Sequence, residues 1–147
     1  MTDAAAITAL VHRYAELLDA GDLDGTAALF AHATWRSVGR AQPLEGAEAV
    51  RRGYDNVILY DGVPSTKHVI SNLTIDVDDS GTATARSYFT VLQGRPDFPL
   101  QPVLAGRYED RFEKVDGQWR FAERVIHPDL VGDLSRHLRG ADKILRE

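Results

Sequence analysis

The chain is 147 residues long, contains no cysteine and carries a formal net charge of −5. That length suggests a single domain, residues 1–147, able to bury its own core, and the lack of thiols excludes disulfides, a cysteine nucleophile and thiolate metal sites. Acidic and basic residues are interspersed with no basic stripe, which argues against nucleic acid as a partner.

The opening Met1-Thr2-Asp3-Ala4 lacks a basic leader, and no apolar run approaches the ~20 residues of a membrane span. The expectation is a soluble, cytoplasmic protein that does not engage a membrane. Ile7, Leu10, Val11, Tyr14, Leu17 and Leu18 follow the spacing of an amphipathic helix. Gly21 suits the left-handed stop at its end. Asp22 is placed to cap a shorter helix through Ala27, Ala28, Leu29 and Phe30. Thr34 to Val38 reads as a strand, and Gly46 opens a third helix carrying Val50, Tyr54, Val57 and Ile58.

From His68 to Val77 the period changes to two, with Val69, Leu73, Ile75 and Val77 on one face and His68, Ile70, Asn72 and Thr74 on the other. Asp78 to Gly81 is a turn, and Thr82 to Gln93 is a strand rich in β-formers. A loop around Pro96 and Pro99 precedes a strand from Val103 to Val115. Asp116-Gly117 signals a tight hairpin into a last strand, Gln118 to Ile126. The tail from Asp129 to Glu147 reads as a short helix with a frayed end. Helices first and long strands afterwards predict an α+β fold, with helices on one face of a curved sheet.

Four segments together carry a family pattern: Tyr14 to Asp22; Leu29-Phe30 followed by Trp35; Thr66-Lys67-His68 leading to Asn72-Leu73; and Asp116 to Phe121. Over roughly residues 5 to 128 the chain resembles the SnoaL-like, NTF2-like superfamily. It looks most similar to the branch holding scytalone dehydratase, hexachlorocyclohexane dehydrochlorinase and bile acid 7α-dehydratase. The resemblance implies a cystatin-like cone, a mixed or antiparallel sheet wrapped around N-terminal helices, and an Asp–His pair in a mostly apolar cavity. By position that pair falls on Asp19 and His68, and Tyr14 matches a tyrosine of the bile acid enzyme. The resemblance also implies a homodimer formed through the open sheet face.

Such a pair has a physical logic. A carboxylate that accepts the Nδ1 hydrogen of an imidazole fixes its tautomer and leaves Nε2 to take a proton. Asp19 is badly placed for a structural residue, since a negative charge in the last helical turn opposes the macrodipole by about 0.3–1 kcal/mol if exposed. Its plain alternative is a solvated turn residue. For His68 the plain alternative is a strand-end histidine bound to backbone, and for Tyr14 it is a core tyrosine. Trp35, Tyr54, Tyr60, Tyr88 and Phe89 are candidates to line the cavity, with ordinary core packing as the alternative. Arg124 and His127, near the end of the last strand, are candidates to polarise a substrate oxygen, with surface positions as the alternative. His12, His32 and His137 are assigned to the surface.

None of the five histidines forms the His-x-x-x-His spacing of a helical metal site, and no glycine-rich nucleotide loop follows a strand. The expectation is chemistry without metal or cofactor. These features point to a lyase or isomerase, in first place a dehydratase, acting on a small, largely apolar or aromatic molecule. One alternative is a polyketide cyclase or ketosteroid-isomerase-like enzyme, disfavoured because Asp76, Glu109 and Asp110 all neighbour other polar residues. The other is a non-catalytic ligand-binding module, or one like the small subunit of a ring-hydroxylating dioxygenase.

Overall fold

The computed structural model describes residues 1–40 and 42–141. Helix α1 (Asp3–Asp19) begins four residues before the apolar rhythm does. The alanines there favour helix, and the Thr2 hydroxyl accepts the Ala5 amide at 3.1 Å. Its inner face buries Ile7, Val11, Tyr14 and Leu18. Helix α2 (Leu23–Ala28) follows at once, with the Asp22 carboxylate accepting the Gly25 amide at 2.8 Å. Strands β1 (Thr34–Ser37) and β2 (Leu44–Glu45) lead into helix α3 (Gly46–Gly53). This helix stops earlier than expected, at Tyr54. Val57 and Ile58 instead run as extended chain, where Val57 bridges Leu138 and the Ile58 amide donates to the His137 carbonyl at 2.9 Å.

Four long strands complete the chain: β3 (Thr66–Val77), β4 (Thr82–Arg95), β5 (Phe98–Val115) and β6 (Gln118–Val131). They form one open, mixed sheet in the order β2-β1-β6-β5-β4-β3. The long strands are mutually antiparallel, while β1 runs parallel to β6. Helix α1 lies on β3 and β6, so the core sits between the helices and the inner face of the sheet. The architecture is the expected α+β arrangement of helices packed on a mixed sheet. At Asp116 and Gly117 both φ angles are positive, 53° and 79°, as a two-residue hairpin of the primed type requires. The proline-containing loop turns out to be a second tight hairpin, with Arg95 paired to Phe98.

Two of the sheet's irregularities reset which side chains face inward beside His68 and Arg124. Between Ser71 and Thr74, Asn72 and Leu73 together oppose a single residue of β4, and Asn72 adopts φ 54°. The uniform alternation read from the sequence therefore fails at this point. Thr66, His68 and Ile70 face inward before the bulge, and Leu73 and Ile75 after it, leaving Val69 and Val77 exposed. In β6, Ala122 has no partner because Phe112 pairs with Phe121 and Arg111 with Glu123. The extra residue turns both Phe121 and Arg124 inward.

Strand β6 also extends to Val131, into what reads as tail. Beyond it, Leu134 to Leu138 folds as a turn against the Val57 bridge. The rest of the expected tail helix, residues 142–147, lies outside the described residues. No helix among the described residues is long and apolar enough to cross a membrane.

Candidate active site

Gly21 sets the position of the end of α1. With φ 79° it brings the turn so close to the loop before β3 that an added Cβ would lie 1.8 Å from the Gly62 carbonyl oxygen. Only glycine satisfies both the left-handed φ and that approach. The contact carries Asp19, the last residue of α1, to the first turn of β3.

There the Asp19 carboxylate accepts three hydrogen bonds. The His68 amide donates to Oδ2 at 2.7 Å, the Thr66 hydroxyl to Oδ1 at 2.8 Å, and the His68 imidazole Nδ1 stands 2.6 Å from Oδ1. The histidine and aspartate side chains are 5 % and 11 % exposed. Burial works against the charge of Asp19, but the bonds from His68 and Thr66 outweigh it and hold the carboxyl below its ordinary value. A carboxylate at Nδ1 defines the Nε2 lone pair as the free base.

His68 opens onto a cavity of about 120 Å³. Its wall is made by Tyr14 and Leu18 of α1, Trp35 and Ser37 of β1, Arg40, Gly53 of α3, and Tyr54, Asn56 and Val57 after it. Phe89, Val91, Leu104, Tyr108, Ile126 and Pro128 of the long strands and Leu134, His137 and Leu138 beyond them complete the lining. The Tyr14 and Tyr54 hydroxyls share a short hydrogen bond. Burial, then the neighbouring Tyr14, hold the Tyr54 hydroxyl protonated well above its usual range. Tyr108 is held in the same way by burial and Tyr14.

His68 and Tyr14 thus line one cavity, with Trp35, Tyr54 and Phe89 in its wall, and Asp19 stands behind His68 at Nδ1. Other expectations need correction. Tyr88 faces the outer side of the sheet opposite Arg107 and is 50 % exposed, so it does not line the cavity. His127 also points outward, beside Glu109 at 2.5 Å, and cannot polarise a substrate in the cavity. Arg124 is neither on the surface nor in the cavity wall. The Ala122 bulge buries it completely beneath the cavity, where Nε and Nη2 donate to the two Asp110 oxygens at 2.8 and 2.9 Å. Its guanidinium lies 3.7 Å from the Tyr108 ring centroid and 4.3 Å from that of Tyr14. Tyr60 packs under Arg95 and donates its hydroxyl to the Arg136 carbonyl, away from the cavity.

Two residues were missed. Asp110 is buried, with burial pushing its carboxyl up and Arg124 opposing the shift; its place directly across from Arg124 in the β5–β6 register is a signal that pairing could have supplied. His137, assigned to the surface, is 5 % exposed and stands 6.5 Å from the His68 ring, centroid to centroid. Its hint in the sequence is Leu134 and Leu138 on either side, at helical spacing. Among the described residues no group of three or more His, Asp or Glu is arranged to hold a metal ion.

Residues 1–125 match the SnoaL-like domain. The chain belongs to the SnoaL-like family. Solved relatives agree with the fold. Rv3472, a Mycobacterium tuberculosis protein of unknown function, is 28% identical over 88% of this chain and 73% of its own, with a TM-score of 0.73. A Novosphingobium aromaticivorans protein provisionally described as a scytalone dehydratase is 26% identical over 89% of this chain and 87% of its own, TM-score 0.71. An NTF2-like protein with a cystatin-like fold from the same organism, 22% identical, covers 99% of this chain and 90% of its own at a TM-score of 0.73. This SnoaL-like chain therefore has the NTF2-like, cystatin-like fold.

Proposed function

We propose that this SnoaL-like protein is a cofactor-independent lyase or isomerase, and specifically a dehydratase of a small, largely apolar cyclic molecule. The observation that carries the reading is the Asp19 carboxylate at 2.6 Å from Nδ1 of an imidazole lining an apolar cavity. His68 Nε2 takes a proton from a substrate carbon, and the resulting imidazolium is stabilised by Asp19. The C–H electron pair becomes the new double bond, the β C–O bond breaks, and the hydroxide leaves as water with a proton from the Tyr14 hydroxyl. The imidazolium proton then returns to the tyrosinate through solvent. The relative described as a scytalone dehydratase supports elimination over other outcomes.

The ketosteroid-isomerase-like alternative needs a free carboxylate base on the sheet. The buried candidate, Asp110, has both oxygens engaged by Arg124, which disfavours it. General base catalysis contributes about 10²–10⁴-fold. In a panel of cyclic β-hydroxy ketones, His68→Ala is expected to lose that factor in both water elimination and deuterium exchange at the α-carbon. Full turnover by His68→Ala would overturn the mechanism.

A further inference from the structure

The segment from Leu134 to Leu138 in the cavity lining is fixed through its backbone, which leaves the His137 side chain without an evident task. The His137 amide donates to the Leu134 carbonyl at 2.9 Å, and its own carbonyl accepts the Ile58 amide at 2.9 Å. The preceding carbonyl, that of Arg136, receives both the Tyr60 hydroxyl at 2.6 Å and Gln93 Nε2 at 2.9 Å. This clamp aims a nearly fully buried imidazole at the wall shared with His68, yet its Nδ1 has no hydrogen-bond partner among the described residues. A buried polar atom without a partner is costly. If the position needed only volume, leucine or phenylalanine would fill it better.

We propose that His137 is a ligand-contacting residue whose imidazole hydrogen-bonds an oxygen of a compact, single-ring molecule seated over His68. The size follows from the cavity: about 120 Å³, against the roughly 150 Å³ of an apolar cavity that admits benzene. The body of the ligand meets Phe89, Val91, Leu104 and Leu134, and its oxygen meets the imidazole of His137, whose Nδ1 is unpartnered. The charged and titratable neighbours of that ring are His68 and Asp19. Burial and His68 keep His137 uncharged at neutral pH, so it contributes a hydrogen bond without a charge. The assignment rests on the reading of this cavity as the ligand site, but it makes no use of turnover.

The test uses phenol and toluene, which have the same ring and nearly the same volume and differ in one oxygen. Titrations of the whole protein followed by NMR are expected to show phenol binding about five- to tenfold tighter than toluene. His137→Phe reduces that preference to within about twofold, and His137→Asn, which keeps a polar atom near the place of Nδ1, retains most of it. In the unaltered protein, phenol but not toluene shifts the His137 imidazole nitrogen resonances, a readout independent of how any variant folds. These titrations read binding alone, whereas the His68→Ala assay reads turnover, so a failed mechanism and a failed ligand contact give different results. An undiminished preference in His137→Phe, unmoved His137 nitrogens, or no binding of either ring at millimolar concentration overturns the proposal.

Discussion

Asp19 holds His68 at two places, accepting the backbone amide on Oδ2 and facing the imidazole Nδ1 with Oδ1. The same carboxylate thereby fixes where the strand begins and which ring nitrogen is free. Asp19→Asn preserves the shape of this contact but removes the negative charge. It also lets the amide donate towards Nδ1, favouring the tautomer with its hydrogen on Nε2. Turnover is expected to fall by about 10²–10⁴-fold, as for a base held in the wrong tautomer, with the fold retained in circular dichroism. A variant as active as the parent would show that the carboxylate has no part in the chemistry.

Gly21→Ala meets two penalties together, a positive φ and a Cβ pressed into the Gly62 carbonyl. The expected loss is about 2 kcal/mol or more of stability, measured by urea unfolding. Activity should fall as well, because the contact that is pushed apart is the one bringing Asp19 to His68. An alanine variant with unchanged unfolding midpoint would contradict the close approach.

Arg124 and Asp110 form a buried, bidentate pair, and the two ways of removing it should differ sharply. Arg124→Met leaves a carboxylate uncompensated in the core and is expected to cost about 3–5 kcal/mol. Arg124→Met combined with Asp110→Leu removes both charges and should recover most of that loss. Urea midpoints of the two single variants and the double variant close the cycle. If the double variant is as unstable as Arg124→Met alone, the pair contributes through packing against Tyr14 and Tyr108 rather than through charge.

The pH dependence of stability has a defined sign at His137. Burial and the neighbouring His68, partly offset by Asp19, lower its pKa from 6.5 to about 4. Between those values the unfolded chain binds a proton that the folded protein does not, so stability declines as pH falls from about 6.5 towards 4. From pH 7 to pH 5 this single group accounts for about 2 kcal/mol. Asp19, with its carboxyl lowered below 3.8, loses its contribution only at more acid pH and does not enter this window. His137→Phe should flatten the pH 7 to 5 segment of a stability profile measured by urea unfolding. An equally steep segment in that variant would assign the acid loss to another group.

The sequence was most readable where one physical rule acts alone. The period of α1 from Ile7 to Leu18 and the Asp116-Gly117 hairpin needed only helix geometry and turn chemistry, and both stand in the structure. Residues whose placement depends on an inserted residue were not readable. Arg124 faces inward because Ala122 shifts the phase of β6, and Leu73 joins the side of His68 because Asn72 shifts β3. Neither bulge carries a glycine or proline to announce it. The nearness of Asp19 and His68 came from family position, since the helical wheel alone sets Asp19 off the apolar stripe. Its physical cause, the Gly21–Gly62 approach, joins residues far apart in the chain. His137 escaped because its burial depends on the bonds from Ile58 to its own carbonyl and from Tyr60 and Gln93 to the Arg136 carbonyl, which no local pattern encodes.

The kink at Asn72 divides one strand into two halves that answer to different constraints. Upstream of it, the orientation of His68 is tied to the carboxylate at the end of α1. Downstream, Leu73 and Ile75 contribute only grease to the interior. Deleting Asn72 would roll the downstream half over, sending those two side chains into water while the imidazole stayed where α1 holds it. Robustness and the geometry at His68 can therefore drift apart under mutation, and a variant that melts early need not have lost the Asp19–His68 contact.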